Sequence, residues 1–347
     1  MSTDVIKQDT LAGVKVLELS AIGPVPWGTL LLSRMGAQVT RIVRPGSRTD
    51  MPDHERKLAD IGRTDVALDL KSEAGKAAAQ ELVRTHHILL EGMRPGVMER
   101  LGLGPDDCHA INPKLVYGRM TGWGQNGPLA DRAGHDINYI ALSGALSAIG
   151  PKDGPPSIPL NLVGDFGGGG TFMIIGVLGA LFKAGVTGKG SVVDISMVEG
   201  AATLMAPIYE RFSLGEWKDQ RGSNRLDGGF PWYCIYQTQC GGYMAVGALE
   251  PQFYRELLRG LGFDEATFPS RDDAANWPEI RRLFTEKFLS RTRDQWAQVF
   301  DPTDACVSPV LSLAEAPQHP HNQQRQVFYK DAAGILRPNV APRVTGF

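Results

Sequence analysis

The chain has 347 residues, 42% of them hydrophobic and 21% charged, with a formal net charge of −2. That length exceeds one typical domain and predicts a large domain plus a smaller one, each with an apolar core. The near-neutral balance excludes a nucleic-acid coat or a membrane-surface helix as the main activity, so neither nucleic acid nor membrane is an expected partner.

Four cysteines, Cys108, Cys234, Cys240 and Cys306, fit no C-x-x-C spacing. Neither a zinc site nor a disulfide framework is expected, and the setting reads as reducing and cytoplasmic. Residues 1–10 are polar, lack the apolar stretch of a signal peptide and read as a loose arm. The apolar run over 171–182 falls short of the roughly 20 residues a membrane span needs and reads as a buried helix. The final Thr345-Gly346-Phe347 matches no peroxisomal address.

In chain order, residues 14–19 read as a strand, Gly23-Pro24-Val25-Pro26 opens a helix over 27–35, Gly36 caps it, and a second strand covers 38–43. These first 46 residues spell one β-α-β unit with a parallel crossover. The pattern repeats with strands over 66–70, 88–91 and 115–119 and an alanine-rich helix over 72–85, and a strand over 191–195 closes this half. Such alternation predicts an α/β fold with an open, mostly parallel, Rossmann-like sheet that gathers ligands at the carboxyl ends of its strands. The expected domains are 1–196 as the large α/β domain, 197–229 as a helix and linker, 230–310 as a small α+β domain, and 311–347 returning to the large one. Within the small domain, strands over 232–237 and 242–246 precede helices over 251–261 and 277–288.

Three segments combine glycine, which lets backbone approach a ligand, with titratable groups. They are Ala133-Gly134-His135-Asp136-Ile137-Asn138-Tyr139, Asn161-Leu162-Val163-Gly164-Asp165-Phe166 followed by four glycines, and Gly247-Ala248-Leu249-Glu250-Pro251. Each adjoins an expected helix start, where unsatisfied amides stabilise negative charge. On residues alone Asp165 is equally an ordinary helix cap, His135 a structural histidine and Glu250 an acidic first turn. Gly102-Leu103-Gly104 lacks the third glycine of a dinucleotide fingerprint, and no Walker lysine follows any glycine run. Ser143 and Ser147 lack nucleophile-elbow context, and His86-His87 reads as charge complementing a helix end.

Taken together, Leu11-Ala12-Gly13-Val14-Lys15-Val16-Leu17-Glu18-Leu19, Leu68-Asp69-Leu70-Lys71, Glu91-Gly92-Met93-Arg94-Pro95-Gly96, Met120-Thr121-Gly122-Trp123-Gly124-Gln125, the three glycine segments and Leu226-Asp227-Gly228-Gly229 resemble the α-methylacyl-CoA racemases, a branch of the family III CoA-transferases. The resemblance runs nearly end to end. It implies the family III fold, an interlocked homodimer, and an isomerase that inverts the α-carbon of 2-methylacyl-CoA thioesters. It implies His135, paired with Glu250 from the partner chain, and Asp165 as the two bases, with Asp136 and Gly164 supporting them. Inversion needs one group to take a proton from one face while another delivers to the opposite face.

By the same resemblance Arg44, Arg94 and Arg100 meet CoA, Leu68 lies near adenine, and Gly134 and Tyr139 lie near the pantetheine and thioester. No cofactor is implied, since CoA is part of the substrate. Backbone amides at the start of the Asp165 helix are the expected donors to the enolate oxygen. One departure is Arg63-Thr64-Asp65, where an acidic Asp65 beside phosphate would weaken CoA binding unless that loop faces away. The alternatives are a CoA-transferase in which Asp165 carries the acyl group covalently, disfavoured by His135, and a non-catalytic acyl-CoA-binding protein.

Overall fold

A computed structural model describes residues 6, 8–19, 21–46 and 61–345. Much of the expected N-terminal arm and the last two residues of the C-terminal tripeptide lie outside the described residues. The chain divides into two compact units, the larger made of residues 3–146, 159–207 and 329–347, the smaller of 1–2, 147–158 and 208–328.

Six strands build the main sheet of the larger unit: β1 (Lys15–Leu19), β2 (Gln38–Val43), β3 (Arg63–Ala67), β4 (Ile88–Glu91), β5 (Val116–Thr121) and β6 (Ser191–Ser196). They form one parallel sheet in the order β3-β2-β1-β4-β5-β6. Strand addition reverses direction between β1 and β4, which makes that pair the switch point of the sheet. Side chains alternate along each strand, so both faces need cover. Val16, Val39, Ile88, Leu90 and Val116 join one core cluster with Val25 and Leu32 of the Pro24–Arg34 helix and Met173 and Val177 of the Phe172–Thr187 helix. Leu17, Leu19, Ile42, Leu89 and Tyr117 join the opposite cluster with Ala79 and Val83 of the Glu73–Thr85 helix. Fully burying a side chain of Val or Leu size contributes about 1.5–3 kcal/mol, so these two sandwiched layers hold the sheet.

The third strand starts at Arg63, three residues before the expected 66. Its early residues are charged, which hides them from an apolar-run reading, yet they are satisfied by the neighbouring strands. Glu18, Arg41 and Asp65 stand opposite one another across β1, β2 and β3. Arg41 pairs with Asp65 at 2.8 Å, and Arg63 with Glu18 at 2.6 Å. His86 also departs from expectation. Burial lowers its pKa, which disfavours the charged form, and its ring bonds the Leu82 carbonyl at 2.7 Å and Thr40 Oγ1 at 3.1 Å.

The apolar run expected over 171–182 belongs to a longer helical stretch. A ten-residue π-helix, Leu162–Thr171, continues directly into Phe172–Thr187, and the 26-residue whole is long and apolar enough, by length and composition, to cross a membrane. Its first half is packed by close backbone approach: a Cβ on Gly200 would sit 1.9 Å from the Gly168 carbonyl oxygen, so only glycine lets the Met197–Leu204 helix lie there. Its second half is not uniformly buried, with Ile175, Phe182 and Val186 exposed along one side.

In the smaller unit, Tyr233–Gln237, Tyr243–Gly247 and Val307–Pro309 form a three-stranded antiparallel sheet. The Pro251–Leu261, Trp277–Phe288 and Arg293–Phe300 helices bury Leu257, Phe284, Phe288, Trp296 and Phe300 in one core cluster with the sheet's Tyr236 and Met244.

Candidate active site

Strand direction places the site. The crossover from β5 to β6 leaves the carboxyl end of β5, carries His135 and Asp165, and returns through the Phe172–Thr187 helix to the start of β6. Asp165 therefore sits at the carboxyl edge of the sheet. A Cβ on Gly23, just past β1, would lie 3.5 Å from Asp165 Oδ2, so the carboxylate overhangs the crevice where ligands of such sheets gather.

His135 is the exposed residue preceding the Asp136–Leu142 helix, and its backbone N–H donates to Asn138 Oδ1 at 3.0 Å. Asp165 is half-buried. It does not cap its helix as expected, since Asn161 holds the N-terminal position and Asp165 lies inside the first π turn. Burial raises the Asp165 carboxyl above the usual carboxylate range, opposed by a hydrogen bond from Asn161 Nδ2 at 3.2 Å; the negative Asp136 adds to the rise and the His135 imidazole works against it. The segments bearing His135 and Asp165 are joined by hydrogen bonds from the Gly164 and Asp165 amides to the side chain of Asp136, the residue after His135.

Two of the expected oxyanion donors are engaged elsewhere. The amides of Gly164 and Asp165 both donate to Asp136 Oδ2, each at 2.7 Å, so neither is free for an enolate. At the start of the Asp136–Leu142 helix the His135 carbonyl accepts the amides of Asn138 and Tyr139, at 2.8 and 3.3 Å, while those of Asp136 and Ile137 precede the intrahelical ladder. Below them, Tyr139 is buried, donates its hydroxyl to the Gly134 carbonyl at 2.5 Å and stands edge-on to Trp123 with centroids 4.8 Å apart.

Arg44, Leu68 and Arg94 follow β2, β3 and β4, so they share the carboxyl edge with Asp165. Arg44, Arg94 and Arg100 are exposed, and Leu68, half-buried, donates its amide to the Val43 carbonyl at 2.9 Å. The segment bearing Arg94 and Arg100 is tied down by Glu91. Its carboxylate is buried, accepts the Met93 amide at 2.6 Å and pairs with Arg119 at 3.0 Å, and Arg119 also holds Glu99 at 2.7 Å. Burial raises the Glu91 carboxyl. Asp65 lies within β3 rather than in a loop, and its carboxylate pairs with Arg41 of the neighbouring strand.

Glu250 belongs to the smaller unit, exposed and immediately before the Pro251–Leu261 helix, with no side-chain cap bond. The same unit holds a cleft of about 570 Å³ lined by Phe230, Trp232, Leu249 and Arg271 among others, with Arg271 stacked over the Tyr254 ring at 4.6 Å. Sequence reasoning missed Asn161 as a partner of Asp165; its place four residues earlier on a helix was the available signal.

Residues 11–344 match CoA-transferase family III. The α-methylacyl-CoA racemase of Mus musculus is 46% identical over 96% of this chain and 86% of its own length, and that of Homo sapiens 44% identical over the same shares. Among solved structures, a CAIB/BAIF family protein from Brucella suis superposes with a TM-score of 0.81 at 24% identity, covering 96% of this chain and 92% of its own, a likeness of fold. On the sequence pattern spanning almost the whole chain and the fold that carries it, the chain belongs to CoA-transferase family III.

Proposed function

We propose that the protein interconverts (2R)- and (2S)-2-methylacyl-CoA thioesters by 1,1-proton transfer through an enolate, as an isomerase of the α-methylacyl-CoA racemase type. One observation carries the reading: the carboxylate of Asp136, the residue after His135, accepts the amides of Gly164 and Asp165 at 2.7 Å each, so the segments bearing the imidazole and the carboxyl group are tied together. Similarity to racemases of mouse and human over 96% of the chain supports it. A covalent transferase mechanism needs the carboxylate alone and has no use for a second base.

For one enantiomer the neutral His135 imidazole takes the α-proton while protonated Asp165 delivers to the other face; for its mirror image the roles reverse. Burial raises the Asp165 carboxyl from its ordinary value, which favours the protonated form needed when this residue delivers. The enolate oxygen takes its hydrogen bonds from donors other than the Gly164 and Asp165 amides, which Asp136 occupies. Arg44, Arg94 and Arg100 hold the CoA phosphates through charge-assisted bonds, with Leu68, Gly134 and Tyr139 along the rest of the carrier. No resident cofactor takes part in this reading. CoA enters with the substrate.

The reading includes a homodimer in which Glu250 of a second chain pairs with His135. The exposed Ile175, Phe182 and Val186, which share one side of the Phe172–Thr187 helix, support it, since apolar residues gathered on one exposed side suit an interaction surface. A cytoplasmic setting accords with four unpaired cysteines.

The test is incubation of a single enantiomer of a 2-methylacyl-CoA in heavy water with no acceptor acid. Deuterium should enter the α-carbon while the stereochemistry scrambles. Acyl exchange onto an added carboxylic acid, with hydroxylamine trapping at Asp165, would establish the transferase instead.

A further inference from the structure

Asp136 is the residue after His135 and the first of the Asp136–Leu142 helix, and its side chain is turned inward, only 6% exposed. Oδ2 receives the amides of Gly164 and Asp165, residues 28 and 29 positions away, at 2.7 Å each. A Cβ on Gly164 would come within 2.6 Å of that oxygen, so the contact demands glycine. Oδ1 is buried with no hydrogen-bond partner among the described residues. A half-satisfied buried carboxylate is costly, and joining two helices does not require one, because an asparagine oxygen accepts the same two amides. The charge itself calls for a use.

We propose, on the racemase reading, that Asp136 is a positioning residue for the proton transfer, its carboxylate bridging from the residue after His135 to the amide of Asp165 and so fixing the separation of the two bases. Both bases are then anchored to one rigid group, and a thioester α-carbon fits between them in a single arrangement. Because effective acid–base catalysis requires hydrogen-bond reach on both faces, a change in this spacing damages delivery more than removal. The negative charge of Asp136 also helps keep Asp165 able to hold a proton. The titratable groups that act with Asp165 are Asp136, His135 and Tyr139. The Met197–Leu204 helix meets this segment through Gly200 with Glu199 exposed, and the Pro24–Arg34 helix has no acidic residue in its first turn.

The experiment follows α-deuterium incorporation and stereochemical inversion separately for wild type, Asp136→Asn and Asp136→Ala, with KM for the CoA thioester. In Asp136→Ala inversion should fall about 100-fold and exchange about tenfold, so that exchange outruns inversion, while KM stays within about threefold. Asp136→Asn keeps an acceptor for both amides and should retain the wild-type ratio of exchange to inversion. Its acid limb of kcat/KM, in the direction where Asp165 is the base, should move to lower pH because the carboxylate loses a like-charged neighbour. Equal loss of exchange and inversion together with a raised KM, or an unmoved acid limb in Asp136→Asn, overturns the proposal. If Asp136→Ala does not fold, the pH limb of Asp136→Asn decides. A wild-type protein that incorporates no deuterium overturns the racemase reading and the proposal together; an active wild type with unaltered variants overturns the proposal alone.

Discussion

Asn161 donates its side-chain amide to the Asp165 carboxylate across 3.2 Å, from four residues earlier in the same segment. The bond favours the ionised carboxylate and restrains the rise that burial imposes. On the proposed mechanism Asp165 must be ionised in the direction where it removes the proton, so kcat/KM should fall as pH drops through its raised pKa. Asn161→Ala takes away a stabiliser of the charged form. The acid limb should therefore shift to higher pH, read from a pH profile of kcat/KM for each enantiomer; an unshifted or downward limb would separate Asn161 from the titration of Asp165.

Substituting either of the proposed bases should divide the two half-reactions. His135→Ala and Asp165→Ala should each slow inversion by about 10²–10⁴-fold, the usual contribution of a positioned acid or base. One enantiomer, the one whose proton faces the surviving base, should keep exchanging with deuterium in each variant, and the enantiomer should differ between the two. Isothermal titration with a CoA thioester should give affinity near wild type. Lost affinity in both variants would mean these residues are scaffolding.

Arg94 lies exposed after β4 on a segment tethered by the Glu91–Arg119 pair at 3.0 Å. A hydrogen bond to a charged group contributes about 1.5–3 kcal/mol, so Arg94→Ala should raise KM for the CoA thioester roughly 10- to 100-fold. The pantetheine thioester, which lacks the nucleotide, should show no such change. An equal loss for both substrates would place the arginine's influence elsewhere.

Asp65 and Arg41 form a pair with side chains 21% and 6% exposed. Breaking a fully buried pair costs about 3–5 kcal/mol, and partial exposure discounts that. Asp65→Asn should lower stability by about 2 kcal/mol, seen as an earlier urea midpoint, with KM for the CoA thioester unchanged. A tighter KM at unchanged stability would show that the carboxylate opposes the substrate's phosphates after all.

The alternation of strands and helices was plain in the chain because apolar runs flanked by proline and glycine carry it locally. Pro251–Leu261 shows this well: Pro251 opens the helix, Gly262 closes it with a left-handed φ of 76°, and Leu257, Leu258 and Leu261 bury one side. The start of β3 was not plain, because Arg63 and Asp65 are hydrophilic and are accommodated only by Glu18 and Arg41 on strands that fold beside them. The π-helix was also hidden, since a glycine run of this kind has no side-chain period to read.

By itself, then, the sequence determined an open parallel sheet with a second unit, and which titratable residues sit beside glycine. Only the tertiary structure decided that the Gly164 and Asp165 amides are already taken, and that Asp136 joins the segments bearing His135 and Asp165. Local order along a chain follows from short-range periodicity, whereas the ownership of a hydrogen bond between groups 28 residues apart is settled only when burial removes water as the competing partner.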